Sequence, residues 1–234
     1  MSAVHISRDF DHAIFTLRKE VLTMAANARR NLEGSIRSLL DRDMEQANIA
    51  ISDVDEVKDC EWKIDQLGME ILLRYHPVAG DLRLVISSMK IAMNLERICG
   101  HALNIAKRAK KMNAAKELLD VTLIEPLYTM ADHLLRDAIS AYSDRNATLG
   151  ASLCEKDKAL DRMHDSVTAT FISRIETGNG RSQDYLHLLL MTRSLERIGD
   201  LAVMIGKDAV FLGNALISGT KATTRSWQRS NFLK

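Results

Sequence analysis

Apolar positions along the chain keep helical time. Phe10, Ile14, Leu17, Val21, Met24 and Ala28 recur at alternating steps of four and three, the spacing of a heptad seam. Leu32, Ile36 and Leu39 carry the stripe onward. Asp43, followed three residues later by Gln46, has the form of a capping box and predicts the start of a second helix. Ala47, Ile51, Val54, Val57, Ile64, Leu67 and Ile71 make the apolar side of that helix. Pro77 and Gly80 predict its end, and a third helix is expected from about Asp81 to Met112. Helices of roughly 30 residues are about 45 Å long at 1.5 Å per residue. Three of them with short links predict an antiparallel bundle.

The second half repeats the scheme. A helix is expected from around Asp120 to Tyr142, with Pro126 either in its first turn or kinking it. Asp144, Arg145 and Asn146 make a turn, and a further helix runs to about Glu176. Thr177-Gly178-Asn179-Gly180 is the clearest breaker, after which Ser182 can cap the last long helix. That helix turns Tyr185, Leu188, Thr192, Leu195, Ala202, Ile205 and Ala209 inward. After Gly213 the pattern dissolves, and the Ser-, Thr-, Arg- and Lys-rich stretch 217–234 is expected to be a flexible tail.

Internal repetition carries the most information. Leu95-Glu96-Arg97-Ile98 recurs as Leu195-Glu196-Arg197-Ile198, and Ala102, Ile105, Lys107 and Ala109 match Ala202, Ile205, Lys207 and Ala209 at the same offset. Eight of fifteen positions are therefore identical without a gap. Shared register on the third helix of each half predicts an all-α protein of two tandem, homologous three-helix bundles. The expected divisions are 1–113, 114–216 and the tail 217–234.

Composition narrows the function classes. The chain is 46% hydrophobic and 27% charged, with 5% aromatics and two prolines, a balance that favours long helices over sheet. A net charge of +1 gives no bulk attraction to nucleic acid or acidic lipid. Cys60, Cys99 and Cys154 are scattered and form no CxxC pair, as suits a reducing compartment. The first ten residues lack the apolar core of a secretory leader, and no run approaches the ~20 apolar residues that span a bilayer. A cytoplasmic protein is expected, meeting a membrane only through partners. No Gly-rich phosphate loop, nucleophile elbow or Glu-x-x-His pair is present to suggest catalysis.

Candidate chemistry lies in carboxylates at helical spacing. Glu196 and Asp200 are four apart and flank the apolar seam beside Leu195; Asp157 and Asp161 have the same spacing on the preceding helix. Antiparallel neighbours would bring the four together. Two carboxylates about 5.5 Å apart repel by roughly 3 kcal/mol at an effective dielectric near 20, so the cluster would call for cations. Oxygen ligands at this spacing accept a hard divalent ion or iron. The alternative is a solvated acidic face with Lys158, Arg162 and Arg197 as counter-charges.

Together these residues resemble the PhoU family. Pro77-Val78-Ala79-Gly80-Asp81-Leu82-Arg83 is similar to its P-x-A-x-D-L-R segment. The LERI stretches resemble its E-R-I-G-D signatures, and Asp157-Lys158-Ala159-Leu160-Asp161 resembles its D-x-x-x-D partner. The resemblance covers residues 7 to 214 in order. It implies a negative regulator of phosphate uptake and of the phosphate-starvation response. Such a protein is a non-enzymatic adaptor between the ATPase subunit of the phosphate ABC transporter and a phosphate sensor histidine kinase, often a homodimer. It also implies iron or zinc at a second-repeat site of Asp157, Asp161, Glu196 and Asp200, although no cofactor is required for the adaptor role. The first repeat departs from the pattern. Glu96 is kept, but Gly100 replaces the expected Asp, and Val54 and Lys58 take the partner positions. Lys58 is expected to neutralise Glu96, while Asp55 and Asp59 are turned off the face by the ~100° step of the helix. The competing readings are a metal-binding helical-bundle enzyme and a structural scaffold.

Other residues carry blander expectations. Met24, Met69, Met89, Met93, Met191 and Met204 are read as core fillers, with a Met-rich partner groove as the alternative. Cys99 and His101 are read as packing residues. Lys107, Arg108, Lys110 and Lys111 suit the C-terminal end of a helix dipole. Arg225, Arg229 and Lys234, with Trp227 and Phe232, are read as a solubilising end or as a contact for a membrane or partner.

Overall fold

The computed structural model describes the backbone of residues 2–113, 120–178 and 180–213, with the side chains of all of these except 2–7 and 54. The stretch 217–234, expected to be a flexible tail, lies outside the described residues. Six α-helices and one 3-10 turn account for the described elements, and no strand occurs among them. They are α1 (Ser2–Leu40), α2 (Met44–Tyr75), α3 (Ala79–Met112), α4 (Glu125–Ser143), α5 (Ala147–Glu176) and α6 (Ser182–Gly213). The 3-10 turn Val121–Ile124 leads into α4.

The helix ends follow local chemistry. Asp43 caps α2 by accepting hydrogen bonds from the amides of Glu45 and Gln46. Gln46 does not close the box; its Oε1 lies 3.3 Å from where a Cβ on Gly34 of α1 would stand. His76 ends α2 in the left-handed region at φ 47°, and Pro77 follows it. The stop is therefore His76-Pro77 alone. α3 begins at Ala79, two residues earlier than expected, because Gly80 is tolerated in a first turn and Asp81 favours the positive end of the dipole. Pro126 stands in the first turn of α4, where its missing N–H has no helical partner to lose. The stretch from Asp120 that looked helical is instead the 3-10 turn. Asp120 is held there by Tyr185 Oη at 2.8 Å and Arg174 Nε at 3.2 Å. Asn146 caps α5 through the amide of Leu149, and Ser182 is the first residue of α6 rather than a residue before it.

The seams read from the sequence point inward. Leu17, Val21, Met24, Ala28, Leu32, Ile36 and Leu39 are buried along α1, as are all seven inward positions expected on α6. α1, α2 and α3 pack on one another, as do α4, α5 and α6, and α3 packs on α6. One hydrophobic core runs through both bundles. Met24 and Met191 fill that core, whereas Met69, Met93 and Met204 are exposed, which corrects their reading as fillers.

α3 and α6 run antiparallel, and their contacts repeat about a local twofold. Near one end Ser87 Oγ donates to the Asp208 carbonyl at 3.2 Å, and Lys90 pairs with Asp208 at 3.5 Å. Near the other, Arg108 meets His187 at 3.5 Å. Positions 87 and 208 thus answer positions 187 and 108. The two LERI segments cross at the centre, where residues 91–100 and 191–200 show the same burial state at every step. Further ties link the bundles. Ser88 Oγ and Tyr142 Oη meet at 2.7 Å in the core, and Arg29 forks onto Asp132 at 2.8 and 2.9 Å. The described helices include none long and apolar enough to cross a membrane.

Glycines set how closely α5 and α6 approach. A Cβ on Gly150 would stand 2.5 Å from the Gly206 carbonyl oxygen, a backbone atom that cannot swing away. Gly150→Ala is therefore expected to lower stability by about 1–3 kcal/mol. Gly100 has nothing within 4 Å of a built Cβ, so Gly100→Ala should raise stability by about 0.5–1 kcal/mol. Urea unfolding of the two variants checks the opposite signs.

Candidate functional site

The α5–α6 contact creates the chemistry of the second repeat. Gly199 is the position that permits it. A Cβ there would stand 2.9 Å from Asp157 Oδ1 and would collide with Leu160 Cδ2. The Asp157 carboxylate therefore lies against the α6 backbone, and its buried Oδ1 has no hydrogen-bond partner. An unpartnered carboxylate oxygen in such a place strongly disfavours the charged form. Burial, followed by the charges of Asp161, Asp200 and Glu196, pushes the Asp157 carboxyl up to about 7, with Lys207 opposing. Burial and then Asp200 also raise Glu196, against Arg197 and His164. The four sequence candidates thus feel one another electrostatically across the two helices.

Counter-charge comes chiefly from Arg197. Its Nη1 is 2.9 Å from Asp200 Oδ2, and its Nε is 3.4 Å from Glu196 Oε2. Lys158, expected in that role, instead pairs with Glu155 at 2.7 Å on the exposed side of α5. Among the described residues, no three His, Cys, Asp or Glu side chains converge into a cage for a metal ion. The orphan Asp157 oxygen is the feature a cation would complement, and the surrounding donors are hard carboxylates of the kind iron or zinc accepts.

A cavity of about 360 Å³ opens beside the carboxylates. Its wall includes Asp157, Asp200, Arg197 and Lys207, and from α3 it gains Arg97 and His101. The repeated arginines 97 and 197 therefore meet in one depression at the local twofold. His101 is half-buried, and burial with Arg97 and Arg197 holds its imidazole below the usual value. Sequence reasoning missed Arg97 and His101 as site residues because α3 belongs to the other repeat. The LERI register was the signal that could have found them.

The first repeat lacks this arrangement. Buried Ala47, Ala50, Val57 and Ile64 of α2 correspond to buried Gly150, Leu153, Leu160 and Val167 of α5, which puts Val54 and Lys58 opposite Asp157 and Asp161. The Val54 side chain lies outside the described residues. Lys58 Nζ pairs with Asp55 at 3.7 Å rather than with Glu96, a one-turn partner being nearer than one across helices. Asp55 and Asp59 are exposed, as expected. Glu96 instead faces Glu61, whose carboxyl is raised by burial, then by Asp65 and Glu96. Glu61 and Asp65 went unnoticed because their spacing falls one turn beyond the family-like positions. Cys99 stands where Gly199 stands in the second repeat. Burial and then the charges of Glu96 and Asp53 push its thiol up to about 12, so it is an unreactive core residue.

Comparison with known proteins places these features in a family. Two stretches of the chain, residues 21–109 and 124–209, match the model described as "PhoU domain". The chain is 27% identical over 210 residues to the Xylella fastidiosa (strain Temecula1) protein named "Phosphate-specific transport system accessory protein PhoU homolog". That match covers 90% of this chain and 87% of the relative. The crystal structure of PhoU from Pseudomonas aeruginosa superposes with a TM-score of 0.82 at 27% identity, covering 90% of this chain and 100% of that one. The fold is shared as well with the phosphate transport system regulatory protein PhoU from Streptococcus pneumoniae. There the TM-score is 0.80 at 22% identity, over 87% of this chain and 96% of that one.

The charge state of Asp157 gives a pH signature. The folded protein holds this proton up to about pH 7, whereas the unfolded chain releases it near the ordinary aspartate value of 3.8. Between those values the folded state binds more protons, so the contribution is favourable at low pH and is lost as pH rises to 7. With chelator present, Asp157→Asn should raise Tm over the wild type at pH 8, and the gain should vanish towards pH 4. Thermal unfolding across this range reads both outcomes.

Proposed function

The chain belongs to the PhoU family, and on that premise we propose that it is an accessory protein of a phosphate-specific transport system. The proposed role is an adaptor that restrains phosphate uptake and the phosphate-starvation response while phosphate is plentiful. Its partners in this reading are the ATPase subunit of the phosphate ABC transporter and a phosphate sensor histidine kinase. It works in the cytoplasm, reaches the membrane through those partners, and is a homodimer. The observation that carries the reading is the family match in both repeats, together with 27% identity across 90% of the chain to a phosphate-specific transport accessory protein.

An adaptor acts by binding one state of a partner more tightly than another, and no bond need be broken. The site suits that task. A mixed-sign cavity on the twofold offers both carboxylates and guanidinium groups within one depression, so its local charge depends on protonation and on any bound cation.

Metal is part of the proposal. Asp157, Asp161, Glu196 and Asp200 would hold iron or zinc, with the orphan Asp157 oxygen as the innermost donor. The ion would supply positive charge, release Arg197 from Glu196 and Asp200, and fix α5 to α6. The Glu61, Asp65 and Glu96 group of the first repeat is assigned no metal.

Two outcomes test this reading. Deleting the gene should switch on phosphate-starvation genes in abundant phosphate, measured as transcript level; unchanged expression removes the adaptor role. Metal analysis of protein purified from cells should find iron or zinc in the wild type and little in Asp157→Ala/Asp200→Ala. Equal, low contents in both would eliminate the metal site while leaving the adaptor reading to the expression test.

A further inference from the structure

The two repeats serve as controls for each other, and one surface separates them. In the first repeat Trp62, Met69 and Leu73 stand on α2 at steps of seven and four, with Trp62 65% and Leu73 71% exposed. Such steps put all three on a single outward stripe. Across the seam, α3 presents Leu82, Ile86, Met89 and Met93 at steps of four, three and four. Met89 packs directly over Gly68 of α2, so the stripes border one groove. Val78, 74% exposed, closes its end at the α2–α3 link. The corresponding positions of the second repeat are mostly polar. Trp62, Leu73, Leu82 and Met93 are answered by Asp165, Glu176, Ser182 and Arg193, while Met69, Ile86 and Met89 keep apolar counterparts in Ile172, Leu186 and Leu189. A common fold does not require this apolar face, so its presence in one copy marks a contact.

We propose that residues 221–234 of the same chain cover this α2–α3 face, with Trp227, Phe232 and Leu233 seated along the groove and the basic residues set against α2. Three observations support that occupant. The first is position. The last described turn of α6 lies beside the start of α3, since Phe211 stacks under the Arg83 guanidinium at 5.3 Å and near Lys90 at 5.9 Å. The groove opens at that same end, at Leu73, Val78 and Leu82.

The second is reach. Fourteen residues can span at most about 46 Å, which is the reach available between Gly213 and Trp227, while Leu73 to Trp62 spans about 17 Å of helix. The third is charge. α2 carries eight acidic residues against three basic, whereas residues 214–234 contain Lys221, Arg225, Arg229 and Lys234 and no acid. Asp55 and Asp59, seven and three residues before Trp62 and on its side of α2, are exposed to receive them. Attraction between the two would be screened by salt. This inference is independent of the metal site and of the adaptor role.

The protein has two tryptophans, Trp62 and Trp227, so Trp227→Phe leaves Trp62 as sole reporter in the full chain. In that background, Arg225→Glu/Arg229→Glu/Phe232→Ser should shift Trp62 emission to the red and increase its quenching by acrylamide. High salt should move the intact tail in the same direction. A second reading comes from the other side of the contact: Leu73→Ser/Leu82→Ser should speed tryptic cleavage after Arg225 and Arg229. Unchanged Trp62 quenching together with unchanged cleavage would overturn the proposal. Protection of Trp62 that disappears on dilution would also overturn it, because the cover would then come from a second copy. If Trp62 is protected only when another protein is added, the groove belongs to that partner and the proposal fails.

Discussion

The antiparallel packing of α3 on α6 is the constraint from which the rest of the molecule follows. Each of these helices is surrounded on three sides, α3 by α1, α2 and α6, and α6 by α4, α5 and α3. Leu95, Ile98, Ala102 and their counterparts Leu195, Ile198 and Ala202 are accordingly all buried. With ~100° between successive residues, the Glu and Arg that follow the buried Leu fall at the border of that core. The repeated LERI motif is thus a packing motif and a charged motif at once. Its hydrophobic members hold the two bundles together, and its ionic members come to the rim where those bundles meet.

Much of this was legible in the chain because it is periodic. The α1 seam and the inward face of α6 are heptad patterns, and the caps at Asp43 and Asn146 depend on residues within three positions. What could not be read depends on distances across helices. Gly80 looked like a breaker, yet only Pro77 must stop a helix. Met69, Met93 and Met204 kept helical spacing but lie on faces that no second helix covers. Asp157, Asp161, Glu196 and Asp200 were visible as i,i+4 pairs. That Arg97 and His101 share their cavity follows from how two repeats dock, which spacing within either repeat does not encode.

Gly199 shows how small a change separates the two halves. Without a side chain there, Asp157 can rest against the backbone of α6 at the cost of an unpaired oxygen. In the first repeat Cys99 fills the equivalent space and is itself buried. The glycine of that repeat stands one residue later, at Gly100, where a Cβ would meet nothing within 4 Å. A one-residue transposition of Gly along a helix turns it by ~100°, from the face that admits a carboxylate to one that faces open space.

The local twofold at Arg97 and Arg197 has an evolutionary consequence. A lone three-helix unit meeting a copy of itself along the same helix would be obliged to carry identical residues on both sides of the axis. Fusion of two units into one polypeptide removes that obligation, so one half can carry Gly100 where the other carries Asp200. Tandem duplication thereby makes asymmetry heritable: a single gene can tune each side of what would otherwise be a rotationally identical pair.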